Sequence, residues 1–248
     1  MSHQNSPQRA GNVVITGASK GIGRAVAEVF AANGYNLYLC SRNETALEKA
    51  VKELVSHYPG IHIKAKARDL SKREAVENFG QWILDNSINI DVLVNNAGIF
   101  EPGSVYNEPE GALDRMLAVN LYSAYHLTRK LLPQIMEQSD FRGSRGHIFN
   151  ICSIASLNAY KNGGAYSISK YAMHGFSKNL REEMKPYAIK VTAVFPGAVY
   201  TDSWAGSAID PKRIMEANDV AKLIFTASQL SPMACVEDIV LRPQLGDL

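Results

Sequence analysis

The sequence has 248 residues, of which 46% are hydrophobic and 20% are charged, and its formal net charge is +2. This length is typical of one large α/β domain with a substantial core, and the small net charge indicates neither a nucleic-acid partner nor an anionic membrane. The three cysteines, Cys40, Cys152 and Cys235, are too few and too scattered for a disulfide framework or a zinc site, so we predict reduced core thiols and no metal.

The chain begins with ten polar residues, MSHQNSPQRA, which predict a frayed tail (1–10) ahead of a single domain at 11–248. They contain no apolar stretch of the kind that a signal peptide needs, and no later apolar run approaches a membrane span in length. We therefore expect a cytoplasmic protein without a membrane partner.

Short apolar runs alternate with longer helical patterns along the rest of the chain. Seven runs are strand candidates, mostly continuous as in strands covered on both faces: NVVITG, NLYLCSR, IHIKAKA, DVLVNNAG, HIFNICS, KVTAVFPG and VEDIVLRP. Six segments predict helices: GIGRAVAEVFAANG, NETALEKAVKELVSHY, SKREAVENFGQWILDN, about 110–138, YSISKYAMHGFSKNLREEMK and NDVAKLIFTASQ. This order predicts a single-domain, doubly wound parallel sheet of about seven strands, Rossmann-like, with helices on both faces.

A glycine-rich turn, TGASKGIG, runs from Thr16 to Gly23 after the first predicted strand. Glycines let the backbone approach a pyrophosphate closely, and the free N–H groups of the following helix point at it. The spacing G-x-x-x-G-x-G differs from the G-x-G-x-x-G of many dinucleotide-binding domains, and glycines often serve only a turn. Because this turn lies between the first strand and a helix, we predict that it holds the phosphates of a dinucleotide.

The end of the second predicted strand bears on which dinucleotide is bound. A carboxylate there would accept the adenosine ribose hydroxyls and repel a 2′-phosphate, but the chain has Ser41 and Arg42. A second cation, Lys20, lies in the glycine turn. Two cations favour a phosphate, so we expect NADP(H) and consider NAD(H) less favoured; the alternative is that both are simply exposed charges.

Tyr166 and Lys170 of YSISK are four residues apart in a predicted helix, so their side chains leave the same face, about 40° apart. In most sequences with this spacing the tyrosine only packs and the lysine is solvated. A ketone that accepts a hydride becomes an alkoxide, however, and needs a proton donor in a dry pocket. Tyrosine has a pKa of about 10, and a nearby ammonium draws it down. We predict that Tyr166 is a general acid/base tuned by Lys170.

A segment at about 198–217 has no clear periodicity and is too long for an ordinary connection. We expect it to form a substrate loop or lid over the site, with a short helix.

The sequence resembles the short-chain dehydrogenases/reductases of the single-domain type. Six motifs in the right order carry the resemblance: TGASKGIG, NNAG, AVNLYSA, NICSIAS, YSISK and FPGAVYT. It implies a homotetramer or homodimer in which the two long crossover helices pack between subunits. The chain departs from many relatives at its end, IVLRPQLGDL, where a glycine pair is replaced, which puts the usual tetramer contact in doubt.

The same resemblance implies four catalytic residues: Asn120, Ser153, Tyr166 and Lys170. Ser153 would hydrogen-bond the substrate oxygen, Lys170 the nicotinamide ribose, and Asn120 a water that connects the lysine to solvent; Ser156 is a competitor with the wrong spacing. Asp69 is also a candidate cap for the next helix. The implied cofactor contacts are Gly17, Ser19, Lys20, Gly21, Ile22, Gly23, Ser41, Arg42, Asp69, Leu70, Asn96, Ala97, Gly98, Tyr166, Lys170, Pro196, Gly197, Val199 and Thr201.

We therefore expect an NADP(H)-dependent oxidoreductase that interconverts a carbonyl and an alcohol. A 3-oxoacyl, pterin-side-chain or small carbonyl substrate remains open. The alternative is a non-catalytic dinucleotide-binding sensor of the same fold, although such proteins typically lose the tyrosine or lysine that is present here. A dehydratase or epimerase of the extended branch would need a longer C-terminal substrate domain.

Overall fold

The computed structural model describes residues 10–87, 89–201 and 209–246. The strands are β1 (Asn12–Thr16), β2 (Asn36–Ser41), β3 (Ile63–Ala67), β4 (Val92–Asn95), β5 (Gly146–Ile151), β6 (Ile189–Pro196), β7 (Val199–Tyr200), β8 (Met215–Glu216) and β9 (Asp238–Leu241). The helices are α1 (Gly21–Ala32), α2 (Glu44–His57), α3 (Arg73–Asn86), α4 (Ala112–Leu117), α5 (Ser123–Glu137), α6 (Gly164–Met184) and α7 (Ala217–Ser228).

Seven strands form one sheet in the order β3-β2-β1-β4-β5-β6-β9, and every neighbouring pair is parallel. The chain reverses its direction across the sheet between β1 and β4, so a crevice opens beyond the carboxyl ends of these two strands, where doubly wound sheets bind ligands. The predicted doubly wound sheet of seven strands is therefore confirmed.

Helices cover both faces of the sheet, because successive strand side chains point to opposite faces. Val13 and Ile15 of β1 belong to a core cluster with α1, α2 and α7, whereas Val14 belongs to a second cluster with α3, α5 and α6. The edge strand β3 is less buried than the central strands, since Lys64 is exposed and its remaining side chains are only partly buried.

The helical stretch predicted at about 110–138 is interrupted at its centre. A five-residue π-helical turn, Ala118–Tyr122, joins α4 to α5. Such turns insert an extra residue into a helix and often mark functional sites.

One prediction for the cysteines is wrong. Cys40 and Cys152 are buried free thiols, but Cys235 is exposed. It precedes β9 rather than lying in it, so the sheet does not cover it. The apolar run around Cys235 suggested a buried strand, but only Asp238–Leu241 pairs with β6.

The segment at about 198–217 contains β7, a 3-10 turn at Pro211–Arg213 and β8, and β7 pairs with β8 outside the main sheet. Residues 202–208 lie outside the described part, as do residues 1–9 of the predicted tail, so the lid and the domain boundaries stay predictions. None of the helices described is both long and apolar enough to cross a membrane.

Candidate active site

The glycine turn after β1 packs too closely to admit side chains. Gly17 and Gly21 have φ angles of +67° and +57°, in the left-handed region that favours glycine. A Cβ on Gly23 would lie 2.3 Å from the carbonyl oxygen of Gly17. Lys20, the N-cap of α1, makes no side-chain cap, so its side chain does not compete with an anionic ligand for the first N–H groups of the helix.

The NNAG segment after β4 holds this turn from the side. The Thr16 hydroxyl accepts hydrogen bonds from the backbone N–H groups of Asn96 and Ala97, both at 3.0 Å. The Asn96 amide donates to the carbonyls of Thr16 at 2.9 Å and Gly17 at 3.1 Å. The adjacent carboxyl ends of β1 and β4 thus form one rigid cradle at the switch point of the sheet.

The fold places the residues proposed to select the cofactor next to this cradle. The hydroxyls of Ser19 and Ser41 are hydrogen-bonded at 2.8 Å, which joins the glycine turn to the end of β2. Arg42 follows and is exposed. Arg68 is a further cation at this end, whose backbone N–H donates to the Ser41 carbonyl at 3.0 Å. Sequence reasoning missed Arg68, although its place directly before Asp69 was a signal.

Asp69 brings a carboxylate close to Arg42, which the sequence alone did not indicate. Burial raises the pKa of Asp69, but hydrogen bonds from Ser71 and the charges of Arg42 and Lys72 outweigh it and hold the pKa below its usual value. The N-cap of α3 is Lys72, so Asp69 does not cap that helix as one alternative had it. Instead it accepts from the Ser71 hydroxyl at 2.8 Å in a local turn. Leu70, between them, is buried.

Lys170 is a buried ammonium beside Tyr166. Its Nζ donates to the carbonyl oxygen of Ile151 at 2.8 Å and lies 5.9 Å from the centre of the Tyr166 ring. Only 5% of Lys170 is exposed. Ile151 ends β5, so this hydrogen bond ties α6 to the sheet two residues before Ser153. The prediction that Tyr166 and Lys170 can act on one object therefore agrees with their placement.

Asn120 lies in the π-helical turn and is almost fully buried. Its amide nitrogen donates to the Ser169 hydroxyl at 2.9 Å, and Ser169 donates in turn to the Tyr166 carbonyl at 2.7 Å. A Cβ on Gly98 would lie 3.3 Å from the Asn120 amide oxygen and 3.6 Å from Lys170 Nζ. Asn120 and Lys170 thus border the same glycine, as a relay between them would require.

Ser153 and Ser156 have different surroundings. The Ser153 hydroxyl accepts from the Ala155 N–H at 3.1 Å, and Ser156 accepts from the Ser153 N–H at 3.2 Å. Ser156 is 1% exposed and Ser153 is 8% exposed. Within the described residues, no acceptor for the Ser153 hydroxyl proton lies at hydrogen-bond distance, so this proton is available to a bound oxygen.

The segment after β6 reaches back to the glycine turn. The Gly197 N–H donates to the Leu241 carbonyl at 2.7 Å, directly after Pro196 at the end of β6. Val199 is buried in β7, and the methyl group of Thr201 would lie 3.1 Å from a Cβ on Gly21. Two segments far apart in sequence, the glycine turn and the segment after β6, therefore lie against each other.

Sequence reasoning also missed Phe100, whose ring centre lies 4.8 Å from that of Tyr166. Its only signal was its place two residues after NNAG. Within the described part of the chain, no cluster of three or more His, Cys, Asp or Glu side chains could hold a metal ion.

Comparison with known proteins gives concordant matches. The model of the short chain dehydrogenase family matches residues 11–211. The sepiapterin reductase of Chlorobaculum tepidum is 33% identical over 245 residues, which cover 95% of this chain and 97% of that protein. The crystal structure of a metagenomic short-chain oxidoreductase in complex with NADP has a TM-score of 0.80 at 30% identity, covering 96% of this chain and 99% of that one. An alcohol dehydrogenase from the archaeon Thermococcus sibiricus, complexed with 5-hydroxy-NADP, has a TM-score of 0.85 at 28% identity, covering 95% and 97%.

Proposed function

Because the chain belongs to the short-chain dehydrogenase family, an oxidoreductase family, we propose that it interconverts a carbonyl compound and an alcohol with NADP(H). The observation that carries the proposal is the buried ammonium of Lys170, 5.9 Å from the ring of Tyr166. Burying a charge costs free energy that only partners offset, and among the described residues Lys170 Nζ has a single hydrogen-bond partner, the Ile151 carbonyl. A bound cofactor and the phenolate of Tyr166 would supply further partners.

The cradle fits a dinucleotide. Gly17, Gly21 and Gly23 would let the pyrophosphate approach the backbone, and the free N–H groups of α1 would bind it. Lys20 and Arg42 would hold a 2′-phosphate, which favours NADP(H) over NAD(H). The NADP-bound metagenomic oxidoreductase supports the same choice. When bound, the nicotinamide supplies or accepts the hydride.

In the direction of reduction, Tyr166 would donate its phenolic proton to the substrate oxygen as negative charge develops there. Ser153 would donate a hydrogen bond to the same oxygen, since its proton has no other acceptor among the described residues. Lys170 would provide the positive potential that favours the phenolate left on Tyr166. In the direction of oxidation Tyr166 would accept the proton of the alcohol as a phenolate, while Ser153 and Lys170 would keep their roles.

Asn120 would help to return a proton to Tyr166 by way of Lys170. The support is that the Asn120 amide and Lys170 Nζ border the same glycine, Gly98. A water held there would connect the lysine to solvent.

We also propose a homodimer or homotetramer. Three tyrosines on the π-helical turn, α5 and α6 leave much of their apolar rings in solvent: Tyr122 at 48%, Tyr125 at 36% and Tyr171 at 45% exposure. Exposed aromatic patches of this kind often mark contacts between proteins. A monomer at micromolar concentration, measured by multi-angle light scattering, would contradict the proposed oligomer.

The test of the proposed reaction is NADPH oxidation, followed by absorbance, with a panel of ketones, aldehydes, diketones and pterins. We expect turnover of at least one carbonyl class, and loss of that turnover in Tyr166→Phe. Tight NADPH binding without turnover of any compound would instead favour the dinucleotide-binding sensor of the same fold.

A further inference from the structure

Two loops that flank Tyr166 are fastened to each other. The first lies at 96–111, between β4 and α4, and the second at 157–163, before α6. The Gly103 N–H donates to the Asn162 carbonyl at 3.1 Å, and the Ser104 hydroxyl donates to the Asn162 amide oxygen at 2.8 Å. These hydrogen bonds make the two loops a single wall beside the site.

Glu108 fastens the same wall to the helix that carries Tyr166. Its carboxylate accepts from the Ala165 N–H at 2.7 Å, in the first turn of α6. A Cβ on Gly164 would lie 2.0 Å from this carboxylate, so the contact depends on glycine there. The wall therefore keeps a constant position relative to Tyr166, as preorganised binding sites require.

Phe100 projects from this wall onto Tyr166. The two rings meet edge to face, with centres 4.8 Å apart and planes at 79°. The preceding residue, Ile99, is held by Asn120 through both its N–H and its carbonyl, which fixes the backbone next to Phe100. Yet Phe100 is 50% exposed although its ring contacts Tyr166, so it keeps apolar surface that a bound molecule could cover.

Tyr160 is the aromatic residue of the second loop of the wall and is 45% exposed. Burial of the rest of its ring raises the pKa of Tyr160 to about 12, and the charge that Tyr166 would carry as phenolate adds to the rise. Tyr160 therefore stays neutral near Tyr166. A Cβ on Gly163 would lie 3.0 Å from its ring, so the glycine lets the ring pack against the loop.

The charges of the wall disfavour an anionic substrate. Its first loop carries three acids, Glu101, Glu108 and Glu110, and its second loop carries one cation, the exposed Lys161. Glu101 is paired with Arg115 at 2.7 Å, outside the wall. With Lys161 and the Arg115 partner of Glu101 counted, the three acids leave the wall with one net negative charge, which gives an anionic substrate group no favourable partner there.

We propose that Phe100, supported by Tyr160, is a specificity-determining residue that selects uncharged ketones or aldehydes with a flat aromatic group next to the carbonyl carbon. The inference rests on the proposed function, because it takes Tyr166 as the group that binds the carbonyl oxygen. A carbonyl oxygen that is hydrogen-bonded to the Tyr166 phenol places the substituents of its carbonyl carbon within reach of the Phe100 ring, because the centres of the two rings are only 4.8 Å apart. Aromatic pairs favour edge-to-face or offset contacts at such distances.

The first test compares acetophenone with 3-methyl-2-butanone, a compact aliphatic methyl ketone, as substrates with NADPH. We expect wild-type kcat/KM to be higher for acetophenone, and Phe100→Ala to lower it about tenfold for acetophenone but much less for the aliphatic ketone. Phe100→Leu keeps much of the apolar side-chain volume without the aromatic ring, so it should recover only part of the loss in kcat/KM for acetophenone. Tyr106→Ala is the control, since Tyr106 lies on the same loop and is 87% exposed.

An equal loss of kcat/KM for both ketones in Phe100→Ala would overturn the inference, and so would full recovery in Phe100→Leu or no loss for acetophenone.

The second test does not need turnover: acetophenone is titrated into the protein with and without NADP⁺, and its dissociation constant is measured by ligand-observed NMR. We expect about fivefold weaker binding in Phe100→Ala and unchanged binding in Tyr106→Ala.

The two tests separate the inference from the proposed function. If wild type reduces no ketone but binds acetophenone through Phe100, the proposed reaction fails and the aromatic site stands. If ketones are reduced without regard to Phe100, the reaction stands and the aromatic site fails.

Discussion

Asn120 holds Ile99 by both of its backbone groups. The amide oxygen accepts from the Ile99 N–H at 2.7 Å, and the amide nitrogen donates to the Ile99 carbonyl at 3.0 Å. Asn120 lies in the π-helical turn, so the pairing holds that turn against the loop after β4. The asparagine thus joins the π-helical turn to the loop after β4 and to α6, in a buried site where each lost partner is costly.

Replacing Asn120 by Ala should therefore damage both stability and activity. The substitution leaves the Ile99 N–H and carbonyl without partners, which we expect to cost about 2–3 kcal/mol of unfolding free energy. Urea denaturation followed by circular dichroism measures the loss. Asn107→Ala, at an exposed position of the loop before α4, is the control and should change the midpoint little. Equal stability of the two variants would show that the Asn120 hydrogen bonds make no net contribution to the free energy of unfolding.

Tyr166→Phe should abolish turnover by several orders of magnitude while NADPH binding changes less than about threefold, because only the proton donor is removed. Stopped-flow absorbance measures turnover, and the fluorescence of bound NADPH measures binding. Tyr171→Phe, on the same helix and exposed, is the matched control. Full activity in Tyr166→Phe would remove the proposed acid.

Arg42→Asp should weaken NADPH binding at least about tenfold and NADH binding much less, since it removes a phosphate partner and adds a repulsive charge. Asp69 makes the expected effect larger, because the variant would place two carboxylates side by side. Dissociation constants for both cofactors come from fluorescence titration. Lys49→Asp, exposed on α2, controls for the change in net charge. Equal weakening of both cofactors would mean that Arg42 only maintains the fold.

Gly23→Ala should disrupt the phosphate cradle. The added methyl would lie 2.3 Å from the Gly17 carbonyl oxygen, so the turn or the start of α1 must shift. We expect NADPH affinity to fall at least about tenfold and the melting temperature to decrease. Gly175→Ala is the control: a Cβ there meets nothing within 4 Å, and alanine in a helix is favoured by about 0.5–1 kcal/mol. Unchanged NADPH affinity in Gly23→Ala would place the phosphates elsewhere.

His147 should make folding sensitive to mild acid. Burial, with the positive charge of Lys190, lowers the pKa of His147 from 6.5 to about 3. The unfolded chain takes up a proton below about pH 6.5, whereas the folded protein resists it until about pH 3. The contribution of neutral His147 to the free energy of unfolding is therefore fully present above about pH 6.5. As the pH decreases below that value, the free energy of unfolding falls by about 1.4 kcal/mol per pH unit.

The measurement for His147 is urea denaturation at pH 7, 6 and 5. The stability of His147→Gln should depend less on pH than that of wild type, because glutamine does not titrate. His62→Gln, at an exposed position, is the control and should keep the wild-type dependence. The same pH dependence in all three proteins would contradict the role of His147.

Much of the fold and of the candidate site was predictable from local patterns. Apolar runs placed the ends of the seven sheet strands within three residues, because strands covered on both faces are continuously apolar, and the helices followed from the period that burial of one face imposes. The spacing of Tyr166 and Lys170 was enough to place both on one face of α6. Glycine spacing likewise located the cradle, since only glycine tolerates the contacts around Gly23.

Other features depended on contacts between residues that are distant in the chain. Nothing near Phe100 in sequence says that its ring meets Tyr166, nor that Asp69 lies by Arg42. The apolar run around Cys235 suggested burial, but the sheet ends before it covers that thiol.

The sequence by itself determined which segments become the sheet strands and the main helices and which family the chain resembles, and it predicts where a dinucleotide and a proton donor would meet. Only the tertiary structure decided which loops join beside Tyr166 and which side chains they place against it. The physical reason is that secondary structure follows from the interactions of near neighbours in sequence. The position of one loop against another depends instead on a few hydrogen bonds, such as those of Asn162 and Glu108, whose partners the order of residues does not specify.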